Sequence, residues 1–173
     1  MSYLQVRRAS IHDAPGIARV RVRTWQKAYR GLIPDTYLDA MSVEANTTRA
    51  QGWFGEDEQA LHWVCTDGDE VVGWTSVFPK SRDSDRGEDT AELAACYALE
   101  HVWGRGVGHR MWAVALDALA QEETRSVSLW VLEGNQRAIY FYERQGFDFD
   151  GSVKVETLMP NVELRELRMT YSL

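Results

Sequence analysis

Three glycines at alternating positions, Gly104, Gly106 and Gly108, stand at the start of an apolar repeat formed by Val107, Met111, Val114, Ala115, Ala118 and Leu119. The spacing predicts a helix over about 106–122 whose first turn is clear of bulky side chains. The opening N–H groups of a helix have no partner within it, and the helix dipole adds positive potential there. Residue type and spacing therefore make an anion site, with phosphate as the anion that suits several converging amides. A dinucleotide fingerprint counted from Gly104 needs glycine where His109 stands, and one counted from Gly106 needs it at Met111. A P-loop needs Lys followed by Ser or Thr, where the chain has His109 and Arg110. Taken alone, the turn could be no more than a tight entry into a helix. The second chemical residue is Glu92. It sits in a run, 91–99, whose small and apolar residues suit a strand covered on both faces. A carboxylate there costs free energy unless it is partnered or performs chemistry.

The elements that must hold these residues follow from periodicity. Residues 3–8 can form a first strand, and Ser10 to Asp13 looks like a capping box with Pro15 tolerated in the first helical turn. Ile17, Val20, Thr24 and Ala28 give the next helix its buried stripe, and Gly31 suits its end. A connector over 32–38 leads into further helical turns up to about Trp53. Residues 61–66 and 71–78 read as a hairpin across the turn at 67–70. The polar stretch 79–90 reads as a solvated loop, with a lid as the alternative. Residues 126–132 form a strand parallel to 91–99, because a helix crosses over between them. Asn135 caps a helix that Gly146 ends, and strands over about 147–157 and 162–171 close the sheet.

Composition narrows the field. Nineteen Lys and Arg against 26 Asp and Glu give a net charge of −7, which opposes nucleic-acid binding. The two cysteines, Cys65 and Cys96, make no disulfide framework and suit a reducing cytoplasm. The N-terminal residues carry no apolar h-region and no run of about 18 apolar residues spans a bilayer, so a cytoplasmic protein without membrane contact is expected. His62 and Cys65 fall on opposite faces of a strand, and no other cluster has ligand spacing, so no metal is expected. At 173 residues the chain is read as a single domain, 1–173.

Tyr97-Ala-Leu99, the turn Trp103-Gly-Arg-Gly-Val-Gly108 and the segment Asn135-Gln-Arg-Ala-Ile-Tyr-Phe-Tyr-Glu-Arg-Gln-Gly-Phe147 together resemble the two signature segments of the GNAT superfamily of N-acetyltransferases. Thr24-Trp-Gln-Lys-Ala-Tyr-Arg-Gly-Leu-Ile-Pro34 is similar to the first-helix region of one group within it. One departure is plain: Trp103 stands where the family's turn usually opens with Arg or Gln. The resemblance implies an α/β (α+β) fold with a mixed, mostly antiparallel sheet of six to seven strands. It further implies a central splayed parallel pair and about four flanking helices.

The same resemblance implies acetyl-CoA as co-substrate. Its diphosphate would rest on the amides of 105–110, with the Arg105 and Arg110 side chains adding charge, and its pantetheine arm would bond to backbone at Tyr97 and Leu99. A backbone N–H near Leu99 would polarise the thioester carbonyl. Cofactor contact is thereby assigned to Tyr97, Ala98, Leu99, Trp103, Gly104, Arg105, Gly106, Val107, Gly108, His109, Arg110, Asn135, Arg137, Ala138 and Tyr142. Tyr142 falls at the position whose tyrosine protonates the departing thiolate in the family, while Tyr140 lies on another side of its helix. Glu92 is the candidate for accepting the amine's proton, directly or through an ordered water. Trp25, Tyr29 and Glu133 are assigned to the acceptor. Its pocket is expected from the 25–37 connector, the 159–161 turn and the 79–90 loop, and its carboxylates, with Asp35 and Asp39, would welcome a cationic amine. The acceptor is expected to be a small-molecule or peptide amine, and a homodimer stays open. A non-catalytic acyl-CoA-binding or regulatory module of the same fold is the alternative.

Overall fold

The computed structural model describes residues 3–55 and 58–173. Its chain opens with strand β1 (Leu4–Arg8), then turns on Ser10, whose backbone N–H donates to Asp13 Oδ2 at 2.8 Å. Arg7 grips the same carboxylate, with Nη2 2.7 Å from Oδ1. This expected capping box launches helix α1 (Ala14–Ala28), which buries Ile17, Val20 and Thr24. The connector supplies two short helices, α2 (Asp35–Asp39) and α3 (Val43–Gly52).

The remaining elements are β2 (Leu61–Asp67), β3 (Glu70–Phe78), β4 (Thr90–Ala98), α4 (Val107–Ala120), β5 (Ser126–Leu132), α5 (Gln136–Arg144), β6 (Asp148–Met159) and β7 (Val162–Ser172). Seven strands form one sheet in the order β1-β2-β3-β4-β5-β7-β6. All neighbours are antiparallel except β4 and β5. Among the described residues five α-helices flank it, in keeping with the about four expected, the connector being split into two short helices that start at Pro34 and Ser42. Helix α4 lies close on β3: a Cβ at Gly73 would fall 2.9 Å from Val107 Cγ1 and 3.0 Å from Met111 Sδ, so only glycine permits the approach.

The parallel pair decides what the fold can do. Strand β4 pairs with β5 only at Thr90, Ala91 and Glu92, opposite Ser126, Val127 and Ser128. Beyond Glu92 the two diverge, each held on its other side, β4 by β3 and β5 by β7. A wedge therefore opens between residues 93–98 and 129–132.

The loop over 79–89 is no plain solvated stretch, contrary to expectation. Arg168 of β7 is 5% exposed and bonds Asp85 (2.8 and 2.7 Å), Asp150 (2.7 Å) and Ser152 Oγ (2.7 Å), with Asp83 at 3.4 Å. Trp130 Nε1 donates to Asp83, and Arg86 pairs with Asp150. A buried guanidinium is tolerable only with such partners, and here they tie the loop to the sheet. Among the described residues no helix is long and apolar enough to cross a membrane, and no group of three or more His, Cys, Asp or Glu could hold a metal.

Candidate active site

The glycine turn is built as its sequence requires. Gly104 (φ 75°) and Gly106 (φ 77°) take left-handed conformations that would strain any residue with a Cβ. At Gly108 the reason differs: a Cβ there would sit 2.9 Å from the Phe141 ring, so its absence lets α4 start against α5. The amides divide into two sets. Arg105 N–H donates to Val102 O (3.2 Å) and Arg110 N–H to Gly106 O (3.0 Å). Among the described residues, those of Gly104, Gly106, Val107, Gly108 and His109 have no partner within the chain. The free amides are thus Gly104 and 106–109 rather than the whole of 105–110. The neighbouring polar side chains also have partners within the chain. Arg105 Nη1 lies 3.7 Å from Asp67, Arg110 Nη1 donates to Leu4 O (3.4 Å), and His109 Nδ1 bonds Gln145 (2.8 Å).

Trp103 is fixed at the wedge's mouth. Its indole N–H donates to Ala98 O (2.6 Å), and the Arg137 guanidinium of α5 stacks on its ring 3.5 Å from the centroid. Thr24 Oγ1 donates to the same Ala98 carbonyl (3.2 Å).

One backbone expectation is overturned. Leu99 N–H donates to Val72 O (2.9 Å), and Tyr97 pairs opposite Trp74. In a strand, alternate residues direct their backbone groups to the same side, so Tyr97 and Leu99 face β3. Cys96 and Ala98 face the wedge instead. The register was not readable because β3 and β4 shift past one another between Ser76 and Val77.

Across the wedge, Asn135 caps α5 by accepting from Ala138 N–H at 3.3 Å, and among the described residues its Nδ2 has no protein partner. Tyr142 packs against Phe147 (5.8 Å between centroids), close to Cys96 and Tyr97. Burial first, then those two neighbours, push its phenol well above the ordinary range. Burial likewise pushes the Cys96 thiol up to about 12, so it stays neutral. Tyr140 is 60% exposed and accepts from Arg144, facing solvent as its helical position implied.

A cavity of about 160 Å³ adjoins the wedge, lined by Trp25, Tyr29 and Ile33, by Glu92, Leu93, Ala94 and Tyr97 of β4, and by Arg82, Trp130, Leu132, Lys154, Leu164 and Glu166. Trp25 and Tyr29 pack edge to face at 5.0 Å, and Trp25 Nε1 is buried without a partner among the described residues. The residues expected for the acceptor divide accordingly. Trp25, Tyr29 and Glu92 come together. Glu133 does not: its carboxylate turns outward along β7 to Arg165 (3.2 Å). Asp35 and Asp39 are likewise spent on Arg30 at the surface. The 159–161 turn stays clear of the cavity, whose wall comes from the strands on either side of it.

Glu92 is buried and takes three N–H groups from Arg82, the backbone N–H and Nε at 3.0 Å each and Nη2 at 2.5 Å. Burial would raise its carboxyl, but the hydrogen bonds and charge of Arg82 outweigh it, and the group is held below the ordinary carboxylate range. Arg82, Lys154, Trp130 and Glu166 escaped sequence reasoning. Three are charged residues, on a loop and on the last two strands, and only the tertiary fold brings all four to one cavity.

Residues 21–147 match a family model described as the acetyltransferase (GNAT) family. YuaI of Bacillus subtilis, an uncharacterized N-acetyltransferase, is 29% identical over 136 residues, covering 79% of this chain and 76% of that protein. A probable N-acetyltransferase of Mycobacterium tuberculosis is 25% identical over 158 residues, 87% of this chain and 83% of its own. Among solved structures, the PaiA N-acetyltransferase of Thermoplasma acidophilum in complex with coenzyme A matches over 99% of both chains with a TM-score of 0.73 at 16% identity, a likeness of fold.

Proposed function

The chain belongs to the acetyltransferase (GNAT) family, and from that premise we propose that it moves an acetyl group from acetyl-CoA to the primary amine of a small molecule or peptide, by direct attack within a ternary complex. The observation that carries this reading is the divergence of β4 and β5 past Glu92 and Ser128, beside unpaired amides at the start of α4.

In this reading the amides of Gly104 and 106–109 hold the diphosphate, aided by the positive end of α4. Cys96, through its N–H and C=O, and Ala98, through its N–H alone because Trp103 and Thr24 hold its carbonyl, offer the wedge-facing backbone of β4 to the extended arm, and one of these N–H groups polarises the thioester carbonyl. Asn135 Nδ2 donates to the arm from the other side. Attack needs a neutral amine, although an ordinary primary amine with a pKa of about 10.4 is protonated at neutral pH. Glu92, held ionised by Arg82, accepts a water's hydrogen bond and passes the amine's proton toward solvent. With so low a pKa it is a relay rather than a store of protons. Tyr142, kept protonated by burial, gives its proton to the departing thiolate.

Thiol release from acetyl-CoA, measured over a mixed panel of amines, tests this. Amine-dependent release supports transfer. Tight binding of coenzyme A without release for any amine would instead support a non-catalytic acyl-CoA-binding module.

A further inference from the structure

The cavity carries four charged side chains, Arg82, Lys154, Glu92 and Glu166, which sum to zero. They are not presented equally. The Glu92 side chain is 6% exposed and lies behind Arg82, which is 59% exposed. Lys154 (35%) likewise stands further out than Glu166 (24%), its partner in the lining at 3.2 Å, while its second partner Glu156, at 3.4 Å and 60% exposed, lies outside the lining. Among the charges that line the cavity the two cations are therefore the more exposed, within a protein whose overall charge is −7.

Both cations are also held in place. Arg82 lies over the Phe78 ring at 4.3 Å, and its Nε and Nη2 are spent on Glu92. Asp83, the next residue, is fastened to Trp130 and Arg168. Lys154 sits over the Trp130 ring at 4.7 Å. A guanidinium and an ammonium fixed at the rim of one small cavity form an anion clamp. Trp25, Tyr29 and Tyr97 make part of the lining aromatic. The volume of about 160 Å³ lies below the roughly 300 Å³ at which drug-sized ligand sites begin, so a compact occupant fits.

We propose that Arg82 and Lys154 bind a carboxylate of the acceptor, so that the acceptor is a small amine bearing a nearby carboxylate, of amino-acid type. This rests on the acyl-transfer reading and narrows the expected small-molecule or peptide amine to one that also carries a carboxylate. Glu92 orients Arg82 as well as relaying the amine's proton.

The test compares amino acids with their decarboxylated amines in acetyl transfer. The expected result is a kcat/KM at least tenfold higher for the carboxylate-bearing member of each pair. Arg82→Gln and, separately, Lys154→Gln should collapse that ratio toward one through KM. Lys154→Gln keeps the test decisive if Arg82→Gln, which strands a buried carboxylate, fails to fold. Equal or better turnover of decarboxylated amines, or an unchanged ratio in folded variants, would overturn the proposal. If no amine is turned over, the transfer reading fails. The clamp is then decided by ligand-observed NMR with N-acetyl amino acids against N-acetyl amines: preferential binding of the former upholds it, and equal or no binding overturns it.

Discussion

Tyr142, near Cys96 and Tyr97, and Glu92, in the lining of the adjoining cavity, are driven in opposite directions by their surroundings. Burial raises the phenol of Tyr142, which suits a proton donor, while Arg82 lowers the carboxyl of Glu92, which suits an ion that stays charged. Tyr142→Phe should lower kcat on the order of 10²-fold, the usual scale for a lost general acid, with coenzyme A affinity changed less than about twofold. An unchanged kcat would remove Tyr142 from the mechanism. Because Glu92 is already ionised well below neutrality, kcat/KM should rise with pH as the acceptor amine loses its proton, with no inflection from Glu92 between pH 5 and 8. An inflection near pH 6 that vanishes in Glu92→Gln would contradict this. At this scale the sequence was informative where a residue is out of place in its element, as Glu92 is in a buried strand. It was silent where partners meet by tertiary folding. Nothing local announces that Arg82, ten residues earlier and on a loop, returns to Glu92.

The α4 entry carries the phosphate site as an element, through two separate uses of glycine. Gly104 and Gly106 hold left-handed turns, and Gly108 clears the way for Phe141. Gly108→Ala should push α5 away from α4 and cost about 1–3 kcal/mol, as overpacking does, with weaker coenzyme A binding. Thermal unfolding and calorimetric titration of the variant check both effects, and wild-type stability with wild-type affinity would contradict the packing argument. Elements with strong periodicity or end signals, such as α1, α4, α5 and the hairpin, were legible in the sequence. The backbone parity of β4 was not, because the shift at Ser76 and Val77 exchanges which amides face β3 and which face the wedge. The short helices α2 and α3 merged in the reading for want of a periodic apolar stripe.

Across the molecule as a whole, electrostatics couples the site to stability. His62, 5% exposed and stacked on Trp53 at 5.8 Å, accepts from Trp74 through Nδ1 at 3.4 Å. Burial first, and then Arg8, lower its pKa to about 4. A histidine whose folded pKa lies below its ordinary 6.5 takes up its proton more readily when unfolded. Stability is therefore complete above about pH 6.5 and lost as pH falls toward 4. Denaturant unfolding should show that slope, and His62→Phe should flatten it; an equal slope in the variant would contradict the assignment. Below that window the lowered carboxyls of Asp13 and Glu92 add further loss as they are protonated. The acidic balance read from composition holds at this scale but does not identify the acceptor. Net charge does not say which member of an ion pair faces a cavity, and here Arg82 and Lys154 are the more exposed of the charges in the lining.

The central claim is that a diphosphate rests on the free amides at the head of α4 while an acyl arm enters between β4 and β5. A crystal structure of the protein soaked with coenzyme A tests it most directly. The account predicts phosphate oxygens within hydrogen-bond distance of the amides of Gly104 and 106–109, and an arm paired to Cys96 and Ala98. Coenzyme A bound elsewhere, or a wedge that closes with β4 and β5 paired along their length, would contradict it.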